Sequence, residues 1–484
     1  MGTLTSLTSR TTGARGTAAE PTRVSSLRTT PLVAVPLVSD DALAASPVGF
    51  RTPGAGSGTV LPLPRTRGTS PVPALPAVEP PAARPTGTDP TSGRKPQDIA
   101  QLTGLRFVAA VWVLLLHASY IPGDVFARWT APIAPLVAAG PLGVDLFFVL
   151  SGLVLTRSYL ARMGARPSVG GTARFLRARI ARVWPLYAVV TVAFGAWCAA
   201  RLVFGSDGIV AWQNPQPSLG PLGWIRQLTM TQMWTSSGIE GVSFVLPAWS
   251  VSAEWLAYLC FPLLVLAAWR IRSWPLPVLA VFAVLAASPV AVVPLVTAGS
   301  GESGAWVWLL RIGGGFTAGM LTWLVVERLP RTPVVELWAG RLVLAVLAET
   351  VLVAYWAASA PASAAIPAAD RLWLAVPLFP VLLGALCVAR GRLVDWLSSP
   401  RLQHGGRISY AIYLVHFPLI EITVVAMTRF PALAPNSSLA ALAIPHVLVA
   451  SVLVAHLAYR WVEEPARRRL MRSSSPAASA VAHG

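Results

Sequence analysis

"LTGLRFVAAVWVLLLHASY", residues 102–120, is an apolar run long enough to cross a bilayer, interrupted by two residues that lipid does not accommodate, Arg106 and His117. Eleven helical positions turn through about 1100°, within about 20° of three full turns, so the two side chains share a face roughly 16 Å apart along the axis. The run reads as a membrane helix that is polar at two depths. Such a face must be covered by other helices, because ionisable groups are not left against hydrocarbon.

The rest of the chain supplies those helices. Of 484 residues, 54% are hydrophobic and only 12% charged, with a mean hydropathy of +0.61, which excludes an ordinary soluble multidomain protein. The formal charge of +18 comes almost entirely from arginine, Lys95 being the single lysine. A nucleic-acid partner would need a soluble basic domain, and none is evident. Cys198, Cys260 and Cys387 fall in apolar segments, where they act as small hydrophobes rather than as a disulfide or metal framework.

Residues 1–97 are rich in Pro, Ser, Thr and Arg, as in "GTVLPLPRTRGTSPVPALPAVEPPAARPTGTDP", and are expected to be a disordered cytoplasmic tail. The proline-broken "PLVAVPLV" does not make a signal peptide. From 98 to 470 ten segments can span a bilayer, with cores near 103–121, 142–160, 183–204, 245–268, 275–297, 305–326, 341–358, 372–389, 408–428 and 440–461. The expected fold is therefore all-α and polytopic, with about ten transmembrane helices in a cell membrane and a short disordered tail over 471–484. With the N-terminus inside, 21 arginines fall on the cytoplasmic side and 5 on the other, which implies that both termini are cytoplasmic. The largest outer loop, about 205–244, is polar enough to shape a substrate entrance.

Ionisable residues inside these segments are the candidates for chemistry. In the fourth span, "LPAWSVSAEWLAYLCFPLL", Ser250, Glu254 and Tyr258 follow at i, i+4 and i+8 as one polar stripe. Counted from the outer boundary, Glu254 lies at about the depth of His117. A carboxylate bonded to an imidazole fixes its tautomer and raises its basicity, as a general base requires. Asp145 lies near the outer end of the second span, and the ninth carries Tyr410, Tyr413 and His416 at successive i+3 steps. In the loop before the third span, "RFLRARIARVWPLY" packs Arg174, Arg177, Arg179 and Arg182 into nine residues; convergence on one site would make them phosphate ligands, and topology alone also explains them.

Taken together, "GLRFVAAVWVLLLH", "GVDLFFVLSG", "RFLRARIARVWPLY", "WSVSAEWLAY", "RISYAIYLVHFPL" and "YRWVEEPARR" resemble the acyltransferase-3 family of integral-membrane O-acyltransferases over residues 98–470. The resemblance implies a cytoplasmic acyl-CoA donor, such as acetyl-CoA, with no bound cofactor or metal. It implies a hydroxyl acceptor on a cell-surface glycan, a lipid-linked sugar or a small molecule. It marks His117 as catalytic, with Glu254 as its support, and Arg106 and the arginine cluster as functionally important. Asp145, Ser250, Tyr258, Tyr413 and His416 complete the expected substrate-binding set. Thr103 and Trp255 stand where the family usually has acidic residues, and the chain is expected to be the form without a fused hydrolase-like domain. Two other classes compete: a transporter of an acyl group or acylated metabolite that uses the buried charges as a proton relay, and a scaffold or sensor built around the long tail. No duplicated broken-helix pair in the sequence supports the first, and the second leaves the intramembrane His and Glu unexplained.

Overall fold

A computed structural model describes residues 99–204, 216–297, 305–361, 364 and 366–472, all within the unit Gly93–Gly484. The N-terminal tail read from the sequence, and the C-terminal tail beyond Arg472, lie outside the described residues. Among the described residues the secondary structure is helical throughout, without a strand. Nine helices among the described residues are long and apolar enough to cross a membrane, or ten where the bent pair is taken as one span. The chain is an all-α, multi-pass membrane protein.

The principal helices are α1 (Ala100–Ala118), α2 (Leu142–Tyr159), α3 (Val169–Phe204), α4 (Trp249–Ile271), α5 (Leu276–Ala287), α6 (Pro289–Val296), α7 (Val307–Val326), α8 (Pro333–Ala358), α9 (Phe379–Leu386), α10 (Pro400–Arg429) and α11 (Ser438–Ala458). Their outward faces carry exposed side chains such as Leu263, Leu352 and Leu453, which suit contact with lipid.

Three features differ from the sequence reading, each for a local reason. The fifth span is α5 and α6, bent by 46° at Ser288, where Pro289 withholds a backbone N–H and Pro294 follows within a turn and a half. The arginine-rich segment 174–182 is not a loop: it lies inside α3, a 36-residue helix that begins well before its apolar part. The described part of the expected outer loop does not hang open. It forms the short helix Pro221–Leu228 and buries Met230, Met233 and Phe244 against the bundle. Tyr187 donates to the Gln227 carbonyl at 2.8 Å and Trp308 Nε1 to the Ser236 carbonyl at 2.9 Å, pinning the segment to α3 and α7.

Helix contacts are closest where a side chain is missing. A methyl group at Gly152 of α2 would meet the Phe316 carbonyl of α7, one at Gly319 of α7 would meet the Val149 carbonyl of α2, and one at Gly406 of α10 would meet the Thr103 carbonyl of α1. Close backbone approach substitutes in a bilayer for the hydrophobic drive available in water. Gly313, also on α7, has nothing within 4 Å of such a methyl group. Gly152→Val should therefore separate α2 from α7 and cost about 1–3 kcal/mol, read as earlier loss of the monodisperse peak on heating in detergent. Gly313→Ala should be neutral or slightly stabilising, and equal losses in the two variants would contradict this packing.

Candidate functional site

α1 and α10 run in one direction, and α2 and α4 return beside them. Near the start of α1, Thr103 meets Gly406; near its end, His117 meets His416, while Glu254 of α4 meets Ser151 of α2. Between these helices and α3 lies a cavity of about 200 Å³. Its lining includes Arg106 of α1, Ser151 of α2, Arg179 and Arg182 of α3, Ser250, Glu254 and Tyr258 of α4, and Tyr410 and Tyr413 of α10. The cavity sets these charged and hydroxyl-bearing side chains among apolar ones such as Phe147, Phe148 and Leu155.

The α4 stripe faces this cavity over its whole length. Glu254 Oε1 accepts from Ser151 Oγ and from Tyr258 OH, each at 2.5 Å, which leaves Oε2 for an occupant. Ser250 Oγ lies 2.7 Å from Tyr413 OH, and Tyr413 also donates to the Pro247 carbonyl at 2.8 Å. At the other end, Arg179 packs its guanidinium 5.9 Å from the rings of Tyr159, Phe175 and Tyr258. Its Nε is buried and has no hydrogen-bond partner. Arg182 is ion-paired to Glu463, which comes from the "YRWVEEPARR" segment and is wholly buried. Tyr410 donates to the Val183 carbonyl at 2.8 Å.

His117 does not line the cavity. Its Nδ1 lies 2.9 Å from the Val113 carbonyl oxygen and 3.1 Å from His416 Nε2, and His416 Nδ1 lies 2.9 Å from the Ile412 carbonyl oxygen. Phe417 and Tyr120 meet the His117 ring edge-to-face with centroids 5.7 Å away. Tyr413 belongs to both places: it walls the cavity, and its ring centroid is 6.1 Å from that of His416.

Four expectations are corrected. Glu254 does not bond His117, because α1 ends at Ala118 and places His117 at its last turn, whereas Glu254 lies more than a turn inside α4; Ser250, one turn earlier, reaches Tyr413 instead. Arg174 and Arg177 do not join the cavity. On a helix at about 100° per residue, Arg179 and Arg182 fall within about 60° of each other, as do Arg174 and Arg177, and the midpoints of the two pairs are roughly 140° apart, so a continuous α3 splits the cluster into two faces. Asp145 is committed to Arg311 of α7, which bonds both carboxylate oxygens at 2.8 and 2.9 Å, with both residues buried. His416 packs against His117 rather than lining the cavity.

Several residues of this network were passed over in the sequence. Arg311 was legible as a lone charge in the sixth apolar segment, a partner for Asp145 by the rule that membrane charges pair. The same rule covers Arg201 and Glu421, which pair at 2.7 Å across α3 and α10. Ser151 and Glu463 carried no such signal, being an ordinary small polar residue and a carboxylate near a terminus.

Residues 99–460 match the family model described as an acyltransferase domain. The chain is 29% identical over 169 residues to Acyltransferase MdmB of Streptomyces mycarofaciens, covering 34% of this chain and 38% of that protein. It is 34% identical over 110 residues to Protein 2 in picA locus of Rhizobium radiobacter, covering 23% of this chain and 51% of that protein. Over 331 residues it is 26% identical to the protein named "Putative membrane-bound transacylase BcsY" of Komagataeibacter xylinus, covering 66% of this chain and 72% of that one. No solved structure matches. With most of its length matched to the family model, the chain belongs to the acyltransferase-3 family.

Proposed function

We propose that the protein is a membrane O-acyltransferase that moves an acyl group, of the acetyl kind, from cytoplasmic acyl-CoA to a hydroxyl of a cell-surface glycan, lipid-linked sugar or small molecule. The observation that carries this reading is the cavity lined by three arginines and Glu254 inside an apolar bundle, with the buried, unpartnered Nε of Arg179 at one end. An unpaired buried donor is costly, and an anionic ligand would satisfy it. Arg106 and Arg182 bring two more guanidiniums to the same end, and the arginine excess of the loops supports placing that end toward the cytoplasm. A cavity of about 200 Å³ is smaller than pockets that enclose a whole drug-sized ligand. It suits the thioester end of the donor, with the phosphates held at the arginines.

The thioester would then point toward Tyr413, with the acceptor approaching from the side of His117. His117 removes the hydroxyl proton as the oxygen attacks the thioester carbonyl; the carbon–sulfur bond breaks, and the CoA thiolate takes up a proton as it leaves. Glu254, bonded to Ser151 and Tyr258, orders the cavity wall rather than the base. Tyr413, which lines the cavity with its ring centroid 6.1 Å from that of His416, is held by Ser250 and Pro247, and in this reading the acyl group passes its ring. The acyl transfer itself is supported by the family model, described as an acyltransferase domain, and by the name of MdmB, an acyltransferase.

Two outcomes follow. His117→Ala in purified protein should lower transfer from labelled acetyl-CoA by about 10²- to 10⁴-fold without loss of folded protein, and near-normal turnover would refute its role as base. Arg179→Lys should weaken donor binding although the charge is kept, because lysine lacks the planar fork. Arg174→Lys and Arg177→Lys should bind acetyl-CoA as the unaltered protein does. Calorimetry that ranks the three variants alike would show that the α3 faces do not matter.

A further inference from the structure

A carbonyl oxygen can only accept, so a ring nitrogen facing one at hydrogen-bond distance carries the hydrogen. His117 Nδ1 faces the Val113 carbonyl and His416 Nδ1 faces the Ile412 carbonyl, both at 2.9 Å. With both rings neutral, each is therefore the Nδ1–H tautomer. His416 then has a bare Nε2 3.1 Å from His117 Nδ1, so that hydrogen is shared between Val113 and His416, and His117 keeps its own Nε2 bare. The opposite arrangement, with His416 Nε2–H donating to His117 Nδ1, would set two imidazole lone pairs against two carbonyl oxygens.

The same rule places an added proton. On His416 it would still leave the His117 Nδ1 lone pair against the Val113 carbonyl. On His117 Nε2 it leaves a hydrogen available in every short contact of the pair. Exposure agrees: His416 is 0% exposed and His117 8%, so only His117 can meet a hydroxyl group.

We infer that His416 is a positioning residue that, with the Val113 carbonyl, holds His117 in the Nδ1–H tautomer and shares the charge of the imidazolium formed when His117 takes the acceptor proton. A carboxylate commonly has this part. Here Glu254 bonds Ser151 and Tyr258, and Glu421, further along α10, is ion-paired to Arg201. The other titratable groups facing the pair are Tyr120, from the loop after α1, and Tyr413, on α10. A neutral acceptor gives His117 orientation without a second buried charge, which would be costly to desolvate.

The positioning role rests on His117 being the base of the proposed transfer, whereas the tautomers do not. Nitrogen-15 histidine spectra of the full-length protein in lipid, assigned with His117→Ala and His416→Phe, should show both rings protonated at Nδ1 and bare at Nε2. An Nε2–H form of either ring overturns the inference. In acetyl-CoA turnover, His416→Phe should lower kcat on the order of 10²-fold with donor KM unchanged. His416→Gln, whose amide oxygen can accept from His117 Nδ1, should recover at least about tenfold of that loss. Equal losses in both variants, or a change confined to KM, overturn the positioning role. Full turnover by His117→Ala would instead remove His117 as the base of the proposed transfer, and no acetyl transfer by the unaltered protein would sink the acyl-transfer reading, while the spectra would still decide the tautomers.

Discussion

A charge placed in hydrocarbon must find a partner, and this constraint sorts the ionisable side chains of the bundle into two sets. Asp145 with Arg311, Arg201 with Glu421 and Arg182 with Glu463 each join two distant parts of the chain. Breaking such a pair leaves a stranded charge, so these contacts hold helix register more than they add net stability. The second set faces the cavity and keeps capacity in reserve: Arg179 with a buried unpartnered N–H, and Glu254 with one oxygen unused by its two donors. A site that binds a polar ligand inside a membrane has to be built around that second set, to which Arg182 adds because it lines the cavity while paired to Glu463.

The fold was largely legible because its signal is bulk hydrophobicity and length, which survive local irregularity. All ten segments read from the sequence correspond to helices, including the one that α5 and α6 share. What the sequence hid was geometry that depends on where helices begin and end. The early end of α1 at Ala118 moved His117 away from Glu254, and the early start of α3 at Val169 turned an arginine cluster into two faces. The i, i+4, i+8 stripe of Ser250, Glu254 and Tyr258 was read correctly as one face because it lies within a single unbroken helix. Pairings between helices, such as His117 with His416, depend on helix packing and have no local signature.

The arrangement also gives a physical reason for the polar face of the first helix. Arg106 lines the cavity near one end of α1, and His117 lies near the other end of the helix beside His416, with Tyr413 both lining the cavity and close to His416. On the proposed reading, a donor too polar to cross the bilayer stops at the arginines while its acyl end alone travels further.

The central claim is that the donor lies with its phosphates at Arg106, Arg179 and Arg182 and its acyl end toward Tyr413. A cryo-electron microscopy map of the full-length protein with a non-hydrolysable acetyl-CoA analogue tests this directly. The account predicts phosphate density against those arginines and the acyl group beside Tyr413, on the path to His117. Density for the nucleotide on the His117 side of Tyr413, or outside the bundle with the cavity unfilled, would contradict it.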